Sequence, residues 1–243
     1  MLKGFYLQDM TWLEAEQVLS ADRLVLIPLG AGAKEHGPHL RLDNDARLAD
    51  YFARRVAELC DVLITPAVTF GYYPAFVDYP GSTHLRLETA RDLIVDVCRS
   101  LARFGPRKFY VLNTGVSTVQ SLAPAAAQLG SEGVLLHFTN ILTVGGPRVQ
   151  SVEQQEGGTH ADEIETSMML YIDASRVDMR KAVRDYQPGK GPLRRTPSGA
   201  GIYSPSGVFG DATLATHKKG AIIVEAMVTG ILRDIEQLRA KVP

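Results

Sequence analysis

The 243-residue sequence predicts an α/β fold with a mostly parallel central sheet and helices on both of its faces. Three observations predict it. Apolar runs of strand length alternate with segments of helical periodicity along the chain. Several of those runs are continuously hydrophobic, as strands buried on both faces must be. The rhythm repeats often enough that βα units, rather than hairpins, are its natural reading. With 45% hydrophobic residues the chain can fill a sizeable core, and we read one domain over residues 1–243.

The first strand of this reading is Leu24–Leu29, followed by a polar turn and a helix over Asp45–Leu59, where Leu48, Tyr51, Phe52, Val56 and Leu59 recur at helical spacing. Val62–Thr65 is the next strand, and Glu88–Phe104 the next helix, carried by Ala90, Leu93, Ile94, Val97 and Leu101. Lys108–Leu112 then reads as a strand that ends at Asn113-Thr114-Gly115. Gln120–Leu129 reads as a helix, Val134–Thr139 as a strand, His160–Ile172 as a helix and Lys218–Leu238 as a long final helix. Between them, Gln187–Asp211 holds Pro188, Pro192, Pro197 and Pro205 and is the one long irregular segment; a lid, a subunit contact and a plain surface excursion all fit it.

Composition excludes several classes. A net charge of -1 with interspersed signs offers no basic face for nucleic acid and no acidic tail, which favours a small, weakly charged ligand. Cys60 and Cys98 stand alone, without the paired spacing of a disulfide framework or a sulfur-ligated zinc, and read as core thiols in a reducing compartment. The stretch M-L-K-G-F-Y-L-Q-D-M-T-W lacks the apolar core of a signal peptide, and no uninterrupted apolar run approaches the roughly 20 residues of a membrane span. The expectation is a soluble cytoplasmic protein.

The richest chemistry follows the first strand. In G-A-G-A-K-E-H-G-P-H-L-R-L-D-N-D, five ligand-type side chains, Glu35, His36, His39, Asp43 and Asp45, fall within eleven residues. Imidazole and carboxylate are the usual ligands of zinc, manganese and iron, and the turn after a buried strand is where an open α/β sheet presents polar groups. A catalytic metal site is the leading reading; the plain one is a turn whose Asp43 and Asn44 satisfy backbone amides, with both histidines at the surface. A second segment, G-G-T-H-A-D-E-I-E-T-S-M-M-L at 157–170, reads as a helix N-capped by Thr159, with His160, Glu163 and Glu165 projecting towards the rim of the sheet. Capping alone accounts for its acids but not for His160.

Taken together, E-H-G-P-H-L followed by Asp45, P-G-S-T-H-L at 80–85, H-A-D-E-I-E-T-S at 160–167 and G-D-A-T-L-A-T-H-K-K-G at 210–220 resemble the creatininase (creatinine amidohydrolase) family, in its order and over nearly the whole chain. The first and third blocks are specific and the others supportive. The resemblance implies a three-layer α/β/α fold and a metal site at the carboxyl ends of the strands. It also implies hydrolysis of a non-peptide or cyclic C–N bond, one or two divalent ions (zinc, manganese or iron), and a homohexamer. By position, His36 and Asp45 match family metal ligands, with Asp45 the carboxylate that bridges two ions where two are bound. The family glutamate stands two residues ahead of the histidine; here Lys34-Glu35-His36 gives that role to Glu35 through a shifted turn. Glu163, three residues after His160, matches a glutamate that can ligate metal, and Glu165 is placed to orient a ligand.

One departure is large: the family's N-G-H after the central strand is Asn113-Thr114-Gly115-Val116-Ser117-Thr118 here, without its imidazole. His84, in P-G-S-T-H-L, is a candidate replacement ligand, with a substrate contact or an ordinary loop histidine as the alternatives. The loss points to one ion per chain rather than two. His39 is read as a support of the ligands, His137 as a core residue and His217 as a cap or contact at the last helix.

The mechanism expected from this set is water activation by an ion on Glu35, His36, Asp45 and Glu163, which brings bound water towards a pKa of about 7. His160 would protonate the leaving nitrogen, and Asn113 with the Thr114-Gly115 backbone would donate to the developing oxyanion. Lys34 is a candidate anion contact, and Tyr73 and Gly115 are candidate substrate contacts. Two other readings stay open: a ring-opening hydrolase acting on a lactone or cyclic ketone, and a non-catalytic member that binds a metal or metabolite.

Overall fold

A computed structural model describing residues 3–242 places five strands in one sheet: β1 (Phe5–Tyr6), β2 (Leu24–Leu29), β3 (Leu63–Ile64), β4 (Lys108–Asn113) and β5 (Leu135–Phe138). Met1 and Leu2, which begin the stretch read above for a signal peptide, and Pro243 lie outside the described residues. All pairings in this sheet are parallel, in the order β1-β3-β2-β4-β5. The central pair β2 and β4 runs in register from Leu24 opposite Lys108 to Leu29 opposite Asn113.

Strand alternation sends side chains to two separate cores. Leu24 and Leu26 of β2 and Tyr110 and Leu112 of β4 face one side, and Val25, Ile27, Leu29, Phe109 and Val111 face the other. The first side is covered by α2 (Asn44–Leu59), α6 (Glu163–Asp173) and α7 (His217–Ala240), the second by α3 (Leu87–Ala102) and α4 (Val119–Gly130). The α/β/α expectation therefore holds, because a strand that is apolar at every position has to be covered on both faces. Sequence reading passed over two short helices, α1 (Trp12–Val18) and α5 (Pro147–Gln150), which bury no residue and so carry no apolar stripe.

The irregular segment over 187–211 is a cover. It contains β7 (Leu193–Arg194) and β8 (Ile202–Tyr203), paired in parallel, and is flanked by the antiparallel pair β6 (Arg184–Asp185) and β9 (Gly210–Asp211). Leu193 and Ile202 are buried against Tyr73, Phe76 and Tyr79, forming a third apolar cluster over the loops at the carboxyl ends of the strands. Among the described residues, no helix is long and apolar enough to cross a membrane.

Helix α7 lies so close to α6 that a Cβ added at Gly220 would stand 1.9 Å from the Ser167 carbonyl oxygen. That obstacle is backbone, so relief requires a helix to move. Gly220→Ala is expected to cost about 2 kcal/mol, in the range of overpacked cores, and to lower the melting temperature by roughly 4–8 °C. Thermal melts followed by circular dichroism check this, and an unchanged melting temperature would contradict it.

Candidate metal centre

The loop after β2 folds inward at the carboxyl edge of the sheet, the usual binding edge of an open α/β sheet. Gly30 makes this possible: a Cβ there would lie 2.3 Å from the Asp45 carbonyl oxygen, so only glycine lets the start of α2 come this close. Thr114, at the end of β4, locks the same place by donating its hydroxyl to the Asp45 carbonyl at 2.9 Å. Asp45 and His36 are consequently fully buried.

His36 has a fixed tautomeric logic. Its Nδ1 lies 2.8 Å from the Lys34 carbonyl, which can only accept, so Nδ1 carries the proton. Nε2 then faces Asp45 Oδ1 at 2.8 Å. Two lone-pair atoms at that separation require a proton or a cation in common. Burial presses the imidazole towards neutrality, but the facing Asp45 carboxylate outweighs it and the His36 pKa is raised. Burial would likewise lift the Asp45 carboxyl, yet Lys34 and His36 together hold it well below the usual carboxylate range.

Lys34 is the unexpected member of this group. Its side chain is only 5% exposed, and its Nζ stands 2.7 Å from Asp45 Oδ2. The contact is off the hydrogen-bonding axis, so Oδ2 has a charge partner but no aligned donor. The ammonium also lies 4.6 Å from the Phe76 ring centroid and 5.8 Å from that of Tyr73.

His160 arrives from a different element. Gly158 and Ala161 both have positive φ, at 130° and 48°, and His160 pairs as a bridge with Phe209 rather than beginning a helix. Its Nε2 bonds Glu35 Oε2 at 2.9 Å, and its Nδ1 lies 3.6 Å from Glu165 Oε2. Glu35 is fixed in turn: its other oxygen accepts from the Gly37 amide, and its own amide donates to Ser82 Oγ at 2.9 Å. His36, His160 and Glu165 each offer a donor atom, all within 4.8 Å of one another.

These residues fit a divalent ion. Two imidazoles and a carboxylate suit zinc, manganese or iron, and Asp45 Oδ1 already shares the approach to His36 Nε2. Orphaned buried atoms lie beside them: Asp45 Oδ2, His39 Nδ1, Asn44 Nδ2 and Tyr73 Oη have no hydrogen-bond partner. The cluster opens into a cavity of about 460 Å³ whose lining includes Lys34, Phe76, Thr114, His160, Glu165 and Leu193.

Several sequence expectations are corrected by this geometry. Helix α6 begins three residues later than its pattern suggests, with Asp162 rather than Thr159 as N-cap, its carboxylate accepting from the Ile164 and Glu165 amides. The shift turns Glu163 away from the cluster: its carboxylate pairs with Lys219 and accepts from the Gln154 and Gln155 amides at 2.8 and 2.7 Å. Glu165 stands with the histidines instead.

Asn113 is spent inside its own turn. It donates to the Gly115 and Thr139 carbonyls and accepts from the Gly115 amide and the Thr118 hydroxyl, so neither it nor the Gly115 amide is free for an oxyanion. His84 is exposed and its Nδ1 accepts from the Tyr73 amide at 3.0 Å, outside the donor cluster. Tyr73 is 1% exposed and packs behind Lys34 and Phe76 instead of lining the cavity. Asp43 is held by Arg47 and Arg176 at the rim. His39 bonds Thr166 at 2.8 Å, on the helix that carries Glu165. His137 is only partly buried, and His217 opens α7 against Tyr171.

A parallel sheet covered on both faces, with imidazoles and carboxylates converging beside a cavity at its carboxyl edge, defines an α/β/α protein with a metal-type site. Residues 8–235 match the family model for creatinine amidohydrolase, and the chain belongs to the creatininase family. It is 28% identical to the creatinine amidohydrolase of Pseudomonas putida over 264 residues, covering 98% of each chain. It is 30% identical to the mycofactocin precursor peptide peptidase of Mycolicibacterium smegmatis over 231 residues, covering 92% of this chain and 88% of the relative. A crystal structure of creatininase superposes with a TM-score of 0.80 at 26% identity, covering 97% of this chain and 98% of that one. A creatininase variant described as the Zn-Zn type superposes equally, at 0.80 and 25% identity over the same shares.

Proposed function

We propose that this chain is a metal-dependent amidohydrolase that cleaves a C–N bond, non-peptide or cyclic, in a small substrate. The observation that carries the reading is the convergence of His36, His160 and Glu165, beside Asp45, at the carboxyl edge of the sheet, where His160 and Glu165 line a cavity and His36 and Asp45 lie buried behind them. These four residues would hold the ion. A divalent ion bound there supplies Lewis acidity and a water acidified towards a pKa of about 7.

The chain's own groups do the remaining work. His160, held by Glu35 on Nε2 with Glu165 beside Nδ1, is oriented to keep an imidazole nitrogen on the ion, its far ring edge fixed by a carboxylate. Lys34 is among the residues that line the cavity, and its positive charge would act on a carbonyl or carboxylate oxygen bound there, a role for which Asn113 has no spare donor. Phe76, Leu193 and Ile202 wall the cavity with apolar surface and limit water. The family resemblance extends the proposal to a homohexamer, checked by light scattering.

The test is elemental analysis of protein purified without chelator, beside His36→Ala, with cyclic amides, linear amides and lactones assayed on each preparation. About one zinc, manganese or iron per chain, lost together with amide hydrolysis in His36→Ala, is the expected result. A metal-free wild type that takes up none of these ions removes the reading, and turnover of lactones alone replaces the C–N bond with an ester.

A further inference from the structure

The centre is unusual in carrying a buried lysine among its carboxylates. Three acidic side chains meet the two histidines: Glu35 on His160, Asp45 on His36, and Glu165 between both rings. The neighbouring acids belong elsewhere. Glu163 is matched by Lys219, and Asp162 is spent on the helix cap and on Gln155. Against the three carboxylates stands one cation, Lys34, on Asp45 Oδ2. With neutral imidazoles the group thus carries two surplus negative charges, which one divalent ion balances. A second ion would leave two surplus positive charges in a nearly dry site, which is strongly unfavourable.

Geometry leads to the same result. A second ion on this face of Asp45 would have to coordinate Oδ2, the oxygen that Lys34 Nζ approaches to 2.7 Å. The ammonium cannot easily leave, because Phe76 and Tyr73 enclose it and its side chain is nearly inaccessible. We infer that the Lys34 ammonium is a resident cation occupying the place of a second metal ion on Asp45, and that it fixes the centre at one divalent ion per chain. Lys34 thereby acts as a positioning and specificity-determining residue: it holds Asp45 in place for the single ion and puts a fixed positive charge, with N–H donors, where an anionic or carbonyl oxygen of the substrate would lie. This inference rests on the metal-centre reading proposed above.

The experiment compares wild type, Lys34→Glu and Lys34→Gln, each loaded with zinc or manganese, by elemental analysis and calorimetric titration of the apoprotein. The expected wild-type stoichiometry is one ion. Lys34→Glu removes the cation and adds a carboxylate, so the surplus becomes four negative charges and two ions are expected. Lys34→Gln is uncharged and tests the same point without asking for a new ligand. Its first ion should bind at least about tenfold more tightly, as the loss of one nearby repelling charge requires at an effective permittivity near 20. Circular dichroism melts verify that each variant is folded.

Two ions in the wild type would overturn the inference while leaving the metal-dependent reading standing. One ion in Lys34→Glu together with unchanged affinity in Lys34→Gln would overturn it as well. No ion in the wild type but one in Lys34→Glu would overturn the one-ion stoichiometry inferred here and would also remove the metal-dependent reading. Protein that takes up no ion in any form would remove both.

Discussion

Asp45→Asn is expected to destabilise the apoprotein by about 3–5 kcal/mol and to abolish metal uptake. The substitution keeps the shape of the side chain and removes only its charge, so the loss is not one of packing. In the native centre the fully buried carboxylate lies between His36 Nε2 at 2.8 Å and Lys34 Nζ at 2.7 Å. An amide there leaves the Lys34 ammonium without its counter-charge in a nearly inaccessible site, and removing one partner of a buried pair carries a cost of that size. For a chain of this length it corresponds to a fall in melting temperature of roughly 6–20 °C. Denaturant titration with chelator present reads the stability, and elemental analysis reads the metal. A double variant, Asp45→Asn with Lys34→Met, should recover part of the loss, because a buried pair replaced as a whole is far less costly than one broken in half. No recovery would mean that Asp45 acts through His36 alone.

The same pair shows where sequence reasoning about this chain is strong and where it stops. Strands β2 and β4 are legible because every residue from Leu24 to Leu29 and from Phe109 to Asn113 is buried, so the apolar run and the strand coincide. Helix α2 is legible because Leu48, Phe52 and Val56 keep a helical stripe. His36, Asp45 and His160 are legible as candidate site residues through residue type and motif, and the structure places all three near one another. Glu165 is obscured by helix onset: the left-handed residue Ala161 delays α6 until Asp162 caps it, and a shift of three residues exchanges the directions of Glu163 and Glu165. A cue was present, since Asp162 caps at least as well as Thr159. The pairing of Lys34 with Asp45 has no local signal at all. It depends on the fourteen-residue loop 30–43 folding back over the strand end, which periodicity does not encode. Asn113 was misread for the converse reason: an asparagine after a strand suits an oxyanion donor and a turn lock equally, and only its four bonds within the turn and to Thr139 decide for the lock.

His39 carries the second large effect, which is read through pH. Its ring is 2% exposed, Nε2 meets the Thr166 hydroxyl, and Nδ1 has no partner. Burial lowers its pKa to about 4, with Glu165 and Glu35 only partly opposing the fall. In the unfolded chain the same group titrates near its ordinary value of about 6.5. Between those values the unfolded state binds a proton that the folded state refuses, so the stability His39 permits is complete above about pH 6.5 and is lost as pH falls towards 4. The whole interval is worth about 3 kcal/mol. Asp162, whose carboxyl burial lifts to about 7, titrates in the same range with opposite sign, because its folded form holds the proton more tightly than the unfolded chain does. Total stability against pH therefore mixes the two, and the informative quantity is the difference between wild type and His39→Gln. That difference, measured by urea denaturation of apoprotein, is expected to move by about 2 kcal/mol in favour of the variant between pH 7.5 and pH 5. Parallel curves would mean that His39 takes up its proton in the folded state, which would require an acceptor at Nδ1 where the native packing has none. The wild-type loss on acidification also bears on the centre itself. His39 is tied to Thr166 on α6, one residue from Glu165, so protonation of its ring is expected to loosen the helix turn that presents the Glu165 carboxylate to the proposed ion. Metal retention should accordingly weaken over the same pH interval in the wild type, and less so in His39→Gln.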